Sequence, residues 1–172
     1  MGRFDDCLHF ICDAEGGYVN DPLDRGGATN CGITQRTYNE WLTHRQLPLE
    51  SVKDMSDADM KDVYKDNYWV HDLPIGLDLL IFDSAVQHGR GRAIKWLQEL
   101  VGVATDGVIG DDTRYHVNQY ILREGKQQLI IMYLDRRQRF YDAIILADPT
   151  QSRFKHGWQN RMDKLKGVLD GL

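Results

Sequence analysis

The chain is poor in cysteine and proline, and it has no long apolar run. Its 172 residues hold only three cysteines (Cys7, Cys12 and Cys31) and four prolines. An odd cysteine count without metal-ligand spacing reads as reduced, buried thiols. Cys7 and Cys12 share one helix and are badly placed to bridge, so a Cys12–Cys31 bridge is the only alternative considered. The six histidines are scattered, so neither a metal site nor a cofactor is expected. No stretch approaches the ~18 apolar residues that span a bilayer. Met1–Asp6 has no apolar signal-like segment, so the expectation is a protein held in the cytoplasm until something else lets it out.

What is present is a globular composition, 42% hydrophobic and 27% charged, long enough for one domain or for one domain with a second packed on it. The net charge of −5 hides an asymmetry. Residues 1–122 carry 11 basic and 20 acidic side chains, whereas residues 123–172 carry 10 and 6. The basic C-terminal part fits an anionic partner such as a cell wall or membrane surface. The plainer reading makes Arg136, Arg137 and Arg139 the wet face of a helix, and it is preferred.

Periodicity is mostly helical. Phe4, Leu8 and Ile11 share a face of a first helix ending near Ala14. Five glycines and one proline between Gly16 and Thr34 predict a structured loop with a short hairpin. Thr34 caps a helix to about Thr43, and Ser56 with Asp59 forms a near capping box for another to about Trp69. Pro74 opens a helix over 75–87 whose centre, Leu79 to Phe82, reads as fully buried. Gly89-Arg90-Gly91 is the best boundary candidate, dividing the chain into lobes 1–89 and 90–172. Helices then follow over about 93–101, 111–123, 126–146 and 151–169.

Glu15 is the residue with the most chemical promise. A carboxylate at the C-terminal end of a helix meets unpaired carbonyls and the negative end of the macrodipole. Both, together with burial against Phe4, Tyr18 or Trp69, favour its protonated form. A carboxylic acid protonated near neutral pH suits general-acid work on a leaving oxygen, and Gly16-Gly17 allow a sharp turn and close approach of substrate. The plainer reading is a surface Glu before an ordinary glycine cap. Glycoside cleavage also needs a second group. Asp24 and Thr29 are the candidates, the latter able to hold a water. Turn chemistry accounts for Asp21-Pro22 and competes evenly for Asp24. Tyr18, Asn20, Asn30 and Gln87 are candidates for contacting sugar. Trp41 and Trp96 are expected in the core, and Asp83, on an apolar helix, is expected to hydrogen-bond the glycine loop in support of the site.

Glu15-Gly16-Gly17-Tyr18, Asp24, Gly26-Gly27-Ala28-Thr29-Asn30 and Gly32-Ile33-Thr34 resemble the N-terminal signature of glycoside hydrolase family 108. Leu73-Pro74 and Phe82-Asp83-Ser84-Ala85-Val86-Gln87-His88-Gly89 are similar to that family too. The second half, with Ala93-Ile94-Lys95-Trp96-Leu97-Gln98, Leu100-Val101-Gly102-Val103, Asp106-Gly107-Val108-Ile109-Gly110 and Thr113, resembles the predicted peptidoglycan-binding module that follows it, although Asp111 stands where such modules often have proline. Gly157-Trp158-Gln159-Asn160-Arg161 is similar to the family's C-terminal end. The plainer reading of this second half is that it packs the back of the catalytic lobe. The resemblance implies a mainly α, lysozyme-like fold with a glycine-rich loop or short β-hairpin at the active site. It implies an N-acetylmuramidase of phage-endolysin type, with Glu15 as catalytic acid and Asp24 and Thr29 as helpers by analogy with other phage muramidases. The implied partner is the peptidoglycan glycan strand, with no nucleic acid and no membrane insertion. The protein would act as a monomer, released from the host cytoplasm by a separate holin. A lytic transglycosylase using the same acid, a non-catalytic wall-binding or secretion-helper protein, and a secreted antibacterial toxin are the rival settings.

Overall fold

The computed structural model describes residues 2–14, 18–19 and 28–172, and they form two compact units, 1–69 and 70–172. The fold is mainly helical with one small hairpin, the lysozyme-like class expected from the sequence.

In the first unit, α1 (Arg3–Ala14) buries Cys7, Leu8, Phe10 and Ile11, and Phe4 meets Trp69 edge to face at 5.4 Å. Strands β1 (Thr29–Asn30) and β2 (Ile33–Thr34) form the hairpin. Thr34 then caps α2 (Gln35–His44), its hydroxyl accepting from the Thr37 amide. A 3-10 turn at Val52–Asp54 follows, which the sequence pattern does not announce. Helix α3 (Asp57–Asn67) is capped by Ser56 through the Asp59 amide, as its near capping box predicts. Trp41 is buried, as expected of a core aromatic. All three cysteines are free thiols.

The second unit is helical throughout. Helix α4 (Leu77–His88) begins after Gly76, later than the position of Pro74 implies, and Leu79 to Phe82 are fully buried in it. Helix α5 (Arg90–Val101) starts one residue after α4 ends. Gly89, at φ 86°, makes the whole corner, so Arg90 and Gly91 lie inside a helix and not in a linker. Gly125, at φ 90°, makes the same single-residue corner between α6 (Asp111–Glu124) and α7 (Lys126–Ala147). A backbone that L side chains resist makes glycine the residue for both corners. Asp148 caps a 3-10 segment, Pro149–Phe154, which leads into α8 (Lys155–Leu169). The last helix is therefore shorter than its periodicity predicts.

Two expectations are corrected in this unit. Arg137 is not on a wet helix face: it is completely buried, with its guanidinium 2.5 Å from Asp83. Asp83, also fully buried, accepts from Arg137 on α7 and, through its other oxygen, from Arg161 on α8 at 2.8 Å. Its partners among the described residues are thus two arginines, where the glycine loop was expected. Burial works against the charge on Arg137, and the facing Asp83 outweighs it, leaving the guanidinium more firmly protonated than usual. Trp96 is buried beside this network, as expected. Arg136 and Arg139 do reach the surface, where they pair with Glu99 and Asp135.

Candidate active site

Helix α1 ends at Ala14, the residue before Glu15, with no basic residue in its last turn. Its final carbonyls and dipole are therefore uncompensated by a local cation. Glu15, Asn20 and Asp24, with Gly16, Gly17 and Asp21, lie outside the described residues.

Beyond that segment the chain returns as a small antiparallel sheet. Val19 and Thr29 exchange both backbone hydrogen bonds at 2.8 Å, and Thr29 pairs on its other side with Thr34. Thr29 is therefore the central position of a three-pass arrangement. Cys31 and Gly32, at φ 46° and 74°, form the two-residue turn. Positive φ at both central positions is the type I′ geometry that matches strand twist.

Side chains from neighbouring elements fasten the hairpin. Asn30 Nδ2 donates to the Val52 carbonyl at 3.0 Å. Gln35 receives the Val52 amide at 2.7 Å and donates to the Glu50 carbonyl at 2.8 Å. The Tyr64 hydroxyl on α3 donates to the Cys31 carbonyl. Burial, with the Asp57 carboxylate behind it, pushes the Cys31 thiol up and keeps it protonated. Tyr38 on α2, hydrogen-bonded to Asp59, is likewise pushed up to about 12, first by burial and then by that carboxylate. Tyr18, 41% exposed, lies next to Val19, with the Lys53 ammonium 5.9 Å from its ring centre.

Thr29 and Asn30 thus lie on one strand of the hairpin, and Tyr18 is the residue before Val19, which bridges to Thr29. The structure also shows the Asn30 amide spent partly on the Val52 turn. Gln87 is exposed, on α4 of the second unit. The Val52 turn and its Gln35 staple were not foreseen. The available signal was Ser51, whose hydroxyl accepts from the Lys53 amide, a cap before a stretch too short for periodicity to register. Among the described residues no group of three or more His, Cys, Asp or Glu is placed to hold a metal, and no helix is long and apolar enough to cross a membrane.

In the second unit the Asp106–Gly110 signature is a hydrogen-bonded clasp. Buried Gln98 donates to the Asp106 carboxylate, the Val108 carbonyl and the Thr113 hydroxyl at 2.7–3.1 Å, and accepts from the Gly107 amide at 2.9 Å. Asp106 in turn accepts from the Val108 amide at 2.8 Å. These residues hold the turn, and through it the α5–α6 pair.

Residues 8–89 match the family described as glycosyl hydrolase 108, and residues 92–163 match a predicted peptidoglycan domain. The solved structure of Brucella abortus SagA is 34% identical, with a TM-score of 0.80, over 98% of this chain and 94% of that one. The chain belongs to glycosyl hydrolase family 108. No curated protein matches it. Membership makes it a peptidoglycan-modifying glycoside hydrolase with an appended peptidoglycan module. The two family segments meet between Gly89 and Arg92, whereas the compact units divide at Trp69, because α4 packs on α5.

Proposed function

We propose that the protein is an N-acetylmuramidase that hydrolyses the β-1,4 bond between N-acetylmuramic acid and N-acetylglucosamine, with Glu15 protonating the glycosidic oxygen. The observation that carries the reading is the end of α1 one residue before Glu15, with a tethered hairpin returning beside it in sequence. A carboxylate at an uncompensated helix C-terminus is disfavoured as an anion, which is the state a general acid must avoid before reaction. Thr29, held on both sides in the sheet, is suited to positioning the attacking water, and Asp24 to stabilising the positive charge that develops at the anomeric carbon. Tyr18, Asn20, Asn30 and Gln87 contact the sugars. A spacing of about 5 Å between the two catalytic groups gives retention and roughly 6.5–9.5 Å inversion. The functional division falls at 1–89 and 90–172.

An endolysin, monomeric and freed by a holin, is one setting for this chemistry. The bacterial source of the solved relative favours a second, an enzyme made by a cell for its own wall.

The test is release of reducing muramic ends from purified sacculi by wild type and Glu15→Gln. Loss of a general acid is expected to slow the folded variant about 10²–10⁴-fold. A folded variant of near-full activity removes Glu15 from the mechanism. Products one water lighter transfer the reading to a lytic transglycosylase.

A further inference from the structure

The second unit contains a cleft of about 660 Å³ between the start of α5, the clasp turn and α7, bordered by Arg92, Lys95, Glu99, Thr105 and Arg136, with Trp96 in its wall. Three cations and one carboxylate border it, although the chain as a whole is acidic. Arg92, Lys95 and Glu99 share one face of α5, and Arg136 comes from α7. Two of the cations rest on an aromatic pair. The Arg92 guanidinium lies 4.8 Å from the Phe140 ring centre and that of Arg136 lies 5.3 Å from Trp96, the two rings being 5.2 Å apart. Stacked guanidinium groups are oriented before any ligand arrives.

Arg136 already has a partner, Glu99, at 3.0 Å. Arg92 and Lys95 have no carboxylate partner within ion-pair distance among the described residues. The nearby Asp106, whose charge is stabilised in part by Lys95, has its carboxylate engaged by Gln98 and the Val108 amide. The border itself is built. Gly107 lies so close to α5 that a Cβ there would come within 3.3 Å of the Gly91 carbonyl and the Lys95 stem.

We propose that this cleft binds the peptide stems of peptidoglycan, with Arg92 and Lys95 taking free stem carboxylates and Glu99 facing the stem's ammonium group. The proposal rests on the reading of the chain as a peptidoglycan enzyme. Among the wall's components the glycan chain is neutral, and the stem peptides carry both signs of charge. A lining of mixed sign matches such a zwitterion. An anionic lipid surface or a nucleic acid carries only negative charge and offers no cationic group to Glu99.

The experiment is calorimetric titration of the full chain with three probes: a soluble disaccharide–tetrapeptide, the same disaccharide with its lactyl carboxyl capped as a simple amide in place of the peptide, and phosphatidylglycerol vesicles. The disaccharide is a product of the proposed cleavage and is not consumed. Arg92→Gln/Lys95→Gln is expected to bind the tetrapeptide form roughly five- to tenfold more weakly, the loss of two exposed charge pairs, while binding of the bare disaccharide is unchanged. The wild-type affinity falls with added salt. The charge-keeping Arg92→Lys/Lys95→Arg retains most of the affinity, which separates charge from folding. The proposal is overturned if wild type ignores the tetrapeptide form, if the glutamine variant binds it as wild type does, if the bare disaccharide loses affinity equally, or if vesicles bind more tightly than the muropeptide. Reducing-end release from sacculi is scored in parallel. Active hydrolysis with an indifferent cleft removes only this proposal, whereas no hydrolysis by wild type removes the enzymatic reading whatever the cleft binds.

Discussion

The hairpin of the first unit and the clasp of the second both fix a short irregular segment, by opposite means. The hairpin is held from outside. Tyr64 donates to its backbone at Cys31, while Asn30 within it and Gln35 just after it bond the segment from Glu50 to Val52, one or two bonds at a time. The clasp is held from inside, where one buried glutamine makes four bonds, and a fully buried Asp83–Arg137 pair braces the helices of the same unit. A polar group next to water loses little when its partner is removed, because water replaces it. A buried one keeps its whole desolvation cost. Thr29 and Asn30 therefore sit on the more loosely tied region, and the second unit has the stiffer polar core.

Breaking the Asp83 pair gives the largest expected effect. Asp83→Ala leaves Arg137 buried and unpaired, at a cost of about 3–5 kcal/mol, read by urea denaturation. Replacing Asp83 with Leu and Arg137 with Met together is expected to recover part of that loss, since the fully buried guanidinium is gone while Arg161 still loses its Asp83 contact. A double variant as unstable as the single one would show that the Arg137 charge is not the source of the cost.

Gln98 and Gln35 test the comparison directly. Gln98→Ala removes four bonds at a buried position and leaves the buried Thr113 hydroxyl without its Gln98 donor, with an expected loss of about 2–3 kcal/mol. Gln35→Ala unpairs the Val52 amide but removes a half-buried side chain rather than a fully buried one, and is expected to cost less, about 1 kcal/mol. Equal losses would dissolve the distinction between the two regions.

His88 adds a pH dependence to the second unit. Its ring lies 5.2–5.3 Å from those of Trp96, Phe140 and Tyr141, and its Nε2 is buried without a hydrogen-bond partner among the described residues. Burial, reinforced by the Arg137, Arg92 and Arg161 charges and opposed by Asp83, pulls the imidazole down to about 3 from its ordinary 6.5. The unfolded chain thus binds the extra proton first. Stability is fully present above about pH 6.5 and falls as pH drops toward 3. Between pH 6.5 and 5, where carboxylates scarcely titrate, His88→Phe is expected to flatten the stability profile.

The uneven legibility of the sequence follows from the same physics. Thr34 and Ser56 were readable because a cap acts over three residues. The buried run Leu79–Phe82 was readable because an apolar stretch needs no partner to be recognised. Arg137 was misread through its charge, although it continues the buried stripe of Ile130, Tyr133, Leu134 and Tyr141. Periodicity carried the signal, and residue type overrode it. Asp83 was read as buried and bonded, but its partners lie on helices far along the chain, beyond any local pattern. Gly89-Arg90-Gly91 was legible as a boundary candidate, but composition does not show that Gly89 alone makes the corner there. In the candidate site, Thr29 and Asn30 were legible from their motif. The bond that holds Asn30 to Val52 was not, since its acceptor lies in a turn of three residues.

The smallest expected effect lies at the hairpin's turn. Cys31 adopts φ 46°, a left-handed conformation that costs most L residues roughly 1–2 kcal/mol and that asparagine visits readily. Its thiol returns only a long 3.6 Å contact to the Asn30 side chain. Cys31→Asn creates an Asn-Gly pair, the favoured sequence for this turn type, and is expected to raise stability by about 0.5 kcal/mol, near the lower end of such backbone effects. Thermal unfolding measures the gain, and reducing-end release measures whether activity survives. Gained stability with full activity would mean that the hairpin tolerates stiffening. Gained stability with reduced turnover would mean that its looseness, set against the rigid clasp of the other unit, is part of how the site works.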